Sequence, residues 1–196
     1  MRSDVTRPTT ALLAILFGLA ATPALAHVGV GDHFSFMHGF RHPLGGVDHV
    51  AAMIAVGLWG AVAGGRRVWV WPAAFVATMI VGGILGRNGV ALPMVEPAIG
   101  LSVVILGVLV ATTVRVPVML GVVIVAGFAV FHGHAHGAEA PESGWLGYAA
   151  GFVIATALLH AVGIGVARLL ERGAGLVSVR AIGAATAVLG VFLLVK

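Results

Sequence analysis

The chain contains no cysteine, and this absence excludes disulfide bonds, thiolate metal sites and cysteine catalysis. Charged residues are also scarce, at 9% of the 196 residues, whereas 60% are hydrophobic. The mean hydropathy is +1.09, and the apolar residues fall in repeated runs of roughly 20, the length at which a helix crosses a bilayer. Only a helix satisfies its own backbone hydrogen bonds within such a run. The sequence therefore predicts an all-α, polytopic membrane protein.

The few charges are mostly basic, with 11 Lys and Arg against 7 Asp and Glu. In a soluble protein this excess would indicate nucleic-acid binding, but here the arginines stand between apolar segments, so we expect no nucleic-acid partner. A phosphate-binding loop of the form GxxxxGK[ST] is absent, which excludes ATP hydrolysis by this chain alone. We expect neither an enzyme nor a permanent cofactor.

Residues 1–26 have the pattern of a cleavable secretory signal peptide. Basic residues precede an apolar core at residues 11–20, and the small residues Ala24 and Ala26 stand where signal peptidase cleaves. Cleavage would leave His27 as the mature N-terminus on the periplasmic side of a bacterial inner membrane. The alternative, an uncleaved first helix, leaves residue 27 on the same side.

Six further apolar runs predict a six-helix transmembrane domain at residues 43–196, after a periplasmic, histidine-containing segment at residues 27–42. The runs cover approximately residues 43–63, 68–86, 91–113, 117–134, 145–168 and 178–195. With residue 27 outside, the cytoplasmic loops contain Arg66, Arg67, Arg115, Arg168, Arg172 and Arg180. This distribution agrees with the positive-inside rule.

All but one of the nine histidines fall in two short stretches, residues 27–49 and 131–139. Each stretch adjoins a membrane-length apolar run and contains a carboxylate. The predicted topology places both at the outer face, where their side chains can meet. Burial of ionisable groups near lipid is costly unless a partner compensates, and imidazole and carboxylate are ligands of divalent transition metals. The two stretches therefore predict a site for such a metal.

The second stretch presents three potential ligands on one helix face. His132 and His136 are four residues apart, about 6 Å along the helix axis, and Glu139 follows three residues later. This spacing lets two imidazoles share one ion. His134 points away from that face.

The first stretch is harder to assign to one ion. His42 and His49 share a helix face, but about 10 Å of height separates them in a regular helix, too far for two ligands of one ion. They are then successive stations, unless Pro43 and the glycines after it make the helix irregular. Asp48 and His49 project about 100° apart, so one can bind metal while the other supports it.

Weaker candidates for metal binding are His27, His38, Glu96, His134 and His160. The N-terminal histidines, with His33, stand in a Gly-containing segment that we expect to be flexible; they either collect metal or are ordinary solvated side chains. Glu96 reaches a similar depth to the two stretches, unless it is a buried protonated carboxyl bonded to a neighbouring helix. His160 lies toward the inside, as an exit station or proton acceptor, or as a donor to a backbone carbonyl.

Three segments together carry a resemblance to a known family: HPLGGVDHVAAMIAVGLWGA, LPMVEPAIGLSVVILG and FHGHAHGAE. They resemble the HupE/UreJ family of small nickel and cobalt permeases associated with hydrogenase and urease maturation. The family pattern of a histidine, five residues and Asp-His matches His42, Asp48 and His49. Its second pattern, FHG followed by AHG and a glutamate, matches His132, His136 and Glu139.

The resemblance implies secondary uptake of Ni²⁺, or alternatively Co²⁺, from periplasm to cytoplasm, with those six residues as the metal site. It also implies hydrogenase or urease maturation proteins as partners, besides the lipid bilayer. A periplasm-facing accessory protein or metallochaperone that binds metal without transporting it is an alternative. An intramembrane metallohydrolase is disfavoured because HGHAH lacks the glutamate that follows the first histidine of HExxH. A channel for a neutral solute would leave the acidic residues unexplained.

Overall fold

A computed structural model of the protein describes residues 32–173 and 175–196, with side chains from Ser35 onward. The described residues form seven α-helices and no strand, which confirms the all-α prediction. The helices are α1 (Asp32–Gly45), α2 (Val47–Ala63), α3 (Arg67–Arg87), α4 (Val95–Thr112), α5 (Val118–Ala138), α6 (Trp145–Gly173) and α7 (Leu176–Val195). The predicted signal peptide and His27 lie outside the described residues, as does the side chain of His33.

Five of the helices, α3 to α7, are long and apolar enough to cross a membrane. They correspond to the last five predicted spans, with ends that differ by a few residues. The chain is therefore an integral membrane protein. Helices α1 and α2 qualify as one further span only when they are taken together, because they meet at an angle of 82°.

The break between α1 and α2 is the irregularity after His42 that the sequence left as an alternative to a regular helix. Pro43 lies inside α1, where it cannot donate a backbone hydrogen bond. Gly46 then has an extended backbone, with φ −100° and ψ 115°, and α2 begins at the next residue. The chain therefore turns sharply between His42 and His49.

Residues 32–42 are not the flexible segment that the sequence predicts. They form most of α1, which packs on α6 so closely that a β-carbon at Gly39 would collide with the backbone of Tyr148. In the same way, a β-carbon at Gly151 of α6 would collide with the backbone of Phe36. The prediction of flexibility is wrong here because Gly39 serves close helix packing rather than chain freedom.

Close contacts at glycines also join the histidine-bearing helices to their neighbours. A β-carbon at Gly133 of α5 would collide with the α3 backbone at Met79, and one at Gly57 of α2 with the α6 backbone at His160. Close approach at small residues is typical of helices packed within a membrane. It fixes the position of α5 against α3 and of α2 against α6.

Polar contacts identify the two ends of the helix bundle. At one end, Arg67 Nε donates to the carbonyl oxygen of Val116 at 3.0 Å, which joins the start of α3 to the loop after α4. At the other end, Arg87 donates to the carbonyl oxygen of Pro141 at 3.0 Å, which joins the end of α3 to the loop after α5. The loops alternate between the two ends, as the predicted topology requires, and the end of α5 that carries the histidines lies at the second.

Candidate metal site

The site begins at the first turn of α2, where Asp48 and His49 contact each other. The carboxylate oxygen Oδ1 of Asp48 accepts from the backbone N–H of His49 at 2.7 Å and from its Nδ1 at 2.8 Å. A carboxylate only accepts, so in the neutral ring Nδ1 carries the proton and Nε2 keeps its lone pair. Asp48 thus orients the ring of its neighbour, the arrangement in which a carboxylate supports a metal-binding histidine.

Helix α5 brings two further imidazoles against this ring. His132 and His136 are both buried, at 0% and 6% exposed, because their shared face points into the bundle. The ring centroid of His49 lies 4.6 Å from that of His132 and 4.2 Å from that of His136. The two histidine stretches of the sequence therefore form one cluster.

The break before α2 brings His42 into the same cluster. Its ring centroid lies 4.6 Å from that of His136, and its Nε2 is 3.0 Å from Oε2 of Glu139. The separation of about 10 Å between His42 and His49 holds only for a regular helix, and the turn at Gly46 removes that separation. Ligand atoms of His42, His136 and Glu139 lie within 4.8 Å of one another, so a small movement of the side chains would bring all three within the roughly 2 Å of one ion that metal–ligand bonds require.

Several buried ring nitrogens in and below the cluster have no hydrogen-bond partner among the described residues. They are Nε2 of His49, Nδ1 of His132 and both ring nitrogens of His136 and of His160. Buried polar atoms are normally paired, and an unpaired one costs stability. Imidazole nitrogens left unpaired beside one another are typical of a site that receives a ligand.

The cluster leads from the protein surface to its interior. The side chain of Glu139 is 66% exposed and that of His42 21%, whereas His132 is completely buried. Aromatic rings form part of the wall, since Phe152 lies 4.2 Å from His136 and Tyr148 lies 5.6 Å from His42, measured between ring centroids. The cluster therefore offers a carboxylate at the surface and imidazole nitrogens at depth.

Comparisons with known proteins agree with this geometry. The family model described as HupE / UreJ protein matches residues 13–193. The chain belongs to the HupE/UreJ family. It is 48% identical over 189 residues to Protein HupE of Rhizobium leguminosarum bv. viciae, a match that covers 95% of this chain and 96% of that protein. No solved structure matches the chain.

Two of the weaker candidates in this HupE/UreJ protein lie beside the cluster without joining it. His38 is exposed on α1, with its ring 5.6 Å from that of His42. It therefore lies beside the exposed end of the cluster, the entrance, which is formed by His42 and Glu139. His134 points away from the cluster, as predicted, because its Nε2 bonds to the carbonyl oxygen of Val90 at 2.7 Å.

Glu96 is not buried, so the interpretation of a buried carboxyl bonded to a neighbouring helix is wrong. It is exposed in the first turn of α4, and no contact joins it to the histidine cluster in the part of the chain that the structure describes. Helix α4 begins only at Val95, after Met94 in the left-handed conformation at φ 59°. The carboxylate therefore lies at the helix end rather than inside the bundle.

His160 is buried on α6, at 2% exposed, and faces Phe75 of α3 with ring centroids 5.2 Å apart. The alternative of a hydrogen bond to a backbone carbonyl is wrong within residues 32–173 and 175–196, where neither ring nitrogen has a partner. The same Phe75 ring lies 5.6 Å from His132. One phenylalanine thus contacts both the deepest histidine of the cluster and His160.

Two polar side chains at the site escape prediction from spacing. Ser102 of α4 lies 2.9 Å, through Oγ, from Nε2 of His132. Tyr148 contacts His42 and His38. The sequence indicates both residues only weakly. Ser102 is an isolated hydroxyl in the apolar run of α4, and Tyr148 is the single tyrosine of the chain.

Proposed function

We propose that this HupE/UreJ protein takes up a divalent transition metal, Ni²⁺ or Co²⁺, from the periplasm to the cytoplasm for metalloenzyme maturation. The observation that carries the proposal is the convergence of His42, His49, His132 and His136, whose rings lie within 4.2 to 4.6 Å of a neighbour. Ring nitrogens of three of them are buried and have no partner in the part of the chain that the structure describes. Neutral imidazole is a preferred ligand of nickel and related metals.

The proposed site has an outer and an inner part. His42, His136 and Glu139 are the outer ligands, since their ligand atoms lie within 4.8 Å of one another and the side chains of His42 and Glu139 reach the surface. His49 and His132 are the inner ligands, and Asp48 orients His49. Copper binds such ligands still more tightly than nickel, so selectivity must come from the geometry of the site rather than from ligand type.

The proposed topology has six spans, with α1 and α2 counted as one broken span, after a cleaved signal peptide at residues 1–26. The end that carries the cluster faces the periplasm of the inner membrane, because the arginine-rich loops then face the cytoplasm. In this orientation Glu139 meets the external solution. His160 lies farther along α6 toward the cytoplasmic side and acts as the exit station.

Movement inward needs no ATP in this proposal. A divalent cation that crosses a membrane potential of 100 mV gains roughly 4.6 kcal/mol, twice the value for one elementary charge. Exposed Glu139 and partly exposed His42 capture the hydrated ion, and buried imidazoles replace its water. The rings of His49, His132 and His136 carry unpaired nitrogens among the described residues and contact one another. The ion therefore moves only a short distance from one ligand to the next.

Uptake of radioactive nickel into liposomes that contain the purified protein tests the proposal. His136→Ala should abolish most uptake, whereas the matched variant His134→Ala, on the same helix but bonded to Val90, should retain it. The alternative is an accessory protein that binds metal without transport. That alternative predicts nickel binding in detergent with no accumulation in sealed liposomes, and such a result would contradict transport.

A further inference from the structure

Ser102 makes two hydrogen bonds in a fully buried position beneath the histidine cluster. Its Oγ lies 2.6 Å from the carbonyl oxygen of Ile99 and 2.9 Å from Nε2 of His132. Ser102 and His132 are both 0% exposed. Bulk solvent does not reach either side chain, so the two side chains and the carbonyl satisfy one another.

The donors and acceptors can be assigned because a hydroxyl has only one proton. The carbonyl oxygen of Ile99 only accepts, so the Ser102 proton points to it and Oγ accepts from the N–H at Nε2 of His132. In the opposite arrangement the ring proton would sit on Nδ1, which has no partner among the described residues. A buried N–H without a partner is rare and costly, so the first arrangement is favoured.

We propose that Ser102 is a positioning residue that holds His132 in the tautomer protonated at Nε2 and leaves Nδ1 as the metal-binding atom. Only the metal-binding part of this inference rests on the proposed function. His49 is held in the opposite tautomer, because Asp48 accepts from its Nδ1 at 2.8 Å. Two rings 4.6 Å apart therefore offer different nitrogens to the metal.

The supporting groups also differ in charge. A carboxylate makes its histidine a more basic ligand, whereas the neutral hydroxyl of Ser102 does not add a negative charge. His132 should therefore hold the ion less tightly than His49 does. A weaker ligand at the deeper position favours release toward the inside over return to the entrance.

Solid-state NMR of the metal-free, full-length protein in lipid bilayers tests the tautomer directly. Histidine labelled with ¹³C and ¹⁵N reports which ring nitrogen carries the proton, and loss of one signal set in His132→Gln assigns that residue. The expected result is a neutral His132 with its proton on Nε2. A proton on Nδ1 in the wild-type protein would overturn the inference.

Variants test the role of the hydroxyl. Ser102→Ala should release the fixed tautomer of His132 and lower Ni²⁺ affinity by about 10- to 100-fold, the range seen when a supporting group is lost. Ser102→Thr keeps the hydroxyl and should retain both the tautomer and the affinity. The control is Thr186→Val, because Thr186 also donates to a backbone carbonyl, that of Ile182 at 2.9 Å, and no hydrogen bond joins it to a histidine among the described residues. It should leave the His132 spectrum and the Ni²⁺ affinity unchanged.

The outcomes test the positioning role of Ser102, the tautomer of His132 and the proposed function separately. An unchanged tautomer or unchanged affinity in a folded Ser102→Ala protein contradicts the positioning role. If that variant does not fold, the wild-type spectrum and the Ser102→Thr spectrum still decide the tautomer. If wild-type protein shows the expected tautomer but binds no Ni²⁺, the proposed function fails while the assignment of the His132 proton stands.

Discussion

His42 and His49 lie seven residues apart in the sequence, yet both rings contact His136, with centroid distances of 4.6 and 4.2 Å. In a regular helix about 10 Å of height would separate them. The 82° angle between α1 and α2 removes this separation. A pattern with five residues between histidine and Asp-His is therefore compatible with a single cluster when the chain turns between them.

Gly46 should be essential to that cluster, whereas Gly45 should not. A β-carbon at Gly46 would lie 2.7 Å from Oδ1 of Asp48 and 2.9 Å from Nδ1 of His49, but one at Gly45 would have no atom within 4 Å. We expect Gly46→Ala to displace the Asp48–His49 hydrogen bond and to lower Ni²⁺ affinity by about tenfold or more. Gly45→Ala is the matched control and should bind as the wild type does.

Equilibrium titration of purified protein with Ni²⁺ measures both glycine variants. Equal affinities for Gly46→Ala and Gly45→Ala would contradict the importance of the turn. A change in thermal stability without a change in affinity would likewise assign Gly46 to folding alone.

Asp48→Asn should weaken metal binding although the side chain keeps its size. The amide cannot supply the negative charge that favours the Nδ1–H form of His49, so Nε2 becomes a poorer ligand. We expect a loss of affinity of about tenfold or more, with the protein still present in the membrane. Glu142→Gln removes an exposed carboxylate from the loop after α5 and serves as the control. Equal effects of the two changes would indicate general electrostatic attraction rather than orientation of His49.

Composition and local spacing were sufficient to predict part of this architecture. Bilayer thickness fixes the length of a spanning helix, so the apolar runs located α3 to α7. The helical repeat predicts that His132 and His136 share one face of α5 and that His134 lies on another. These features depend only on residues close in sequence.

The packing of α1 on α6 and the contact of Ser102 with His132 were not predicted, because both depend on segments distant in the sequence. Helix α1 is held against α6 by the fit of Gly39 to Tyr148 and of Gly151 to Phe36, and no local pattern encodes that pairing. Ser102 meets His132 only because α4 packs beside α5. Such contacts depend on the relative rotation of two helices, which spacing within one helix does not define.

His38 should raise the efficiency of capture without setting the maximal rate. It is exposed at the entrance, with its ring 5.6 Å from that of His42, but its ring nitrogens are not part of the buried group. His38→Ala should therefore reduce nickel uptake at low metal concentration and leave saturated uptake nearly intact. Met37→Ala, at an exposed neighbouring position, is the control. Loss of the maximal rate in His38→Ala would instead place His38 among the ligands.

His160 should affect transport differently from the residues at the entrance. It is buried on α6, where neither ring nitrogen has a partner among the described residues, and Phe75 contacts both its ring and that of His132. An ion released from the inner ligands would therefore next encounter His160. His160→Ala should leave equilibrium binding of Ni²⁺ to the purified protein unchanged and lower the maximal rate of uptake into liposomes.

A buried histidine can also matter through packing alone, and Leu159→Ala separates the two roles. Leu159 is buried on the same helix, so its truncation removes packing of similar size without removing a ligand. A lower maximal rate in His160→Ala but not in Leu159→Ala supports an exit station, since only the imidazole can bind the ion. Equal losses in both variants, or full uptake by His160→Ala at every metal concentration, would assign His160 to packing and require the ion to leave the cluster without its help.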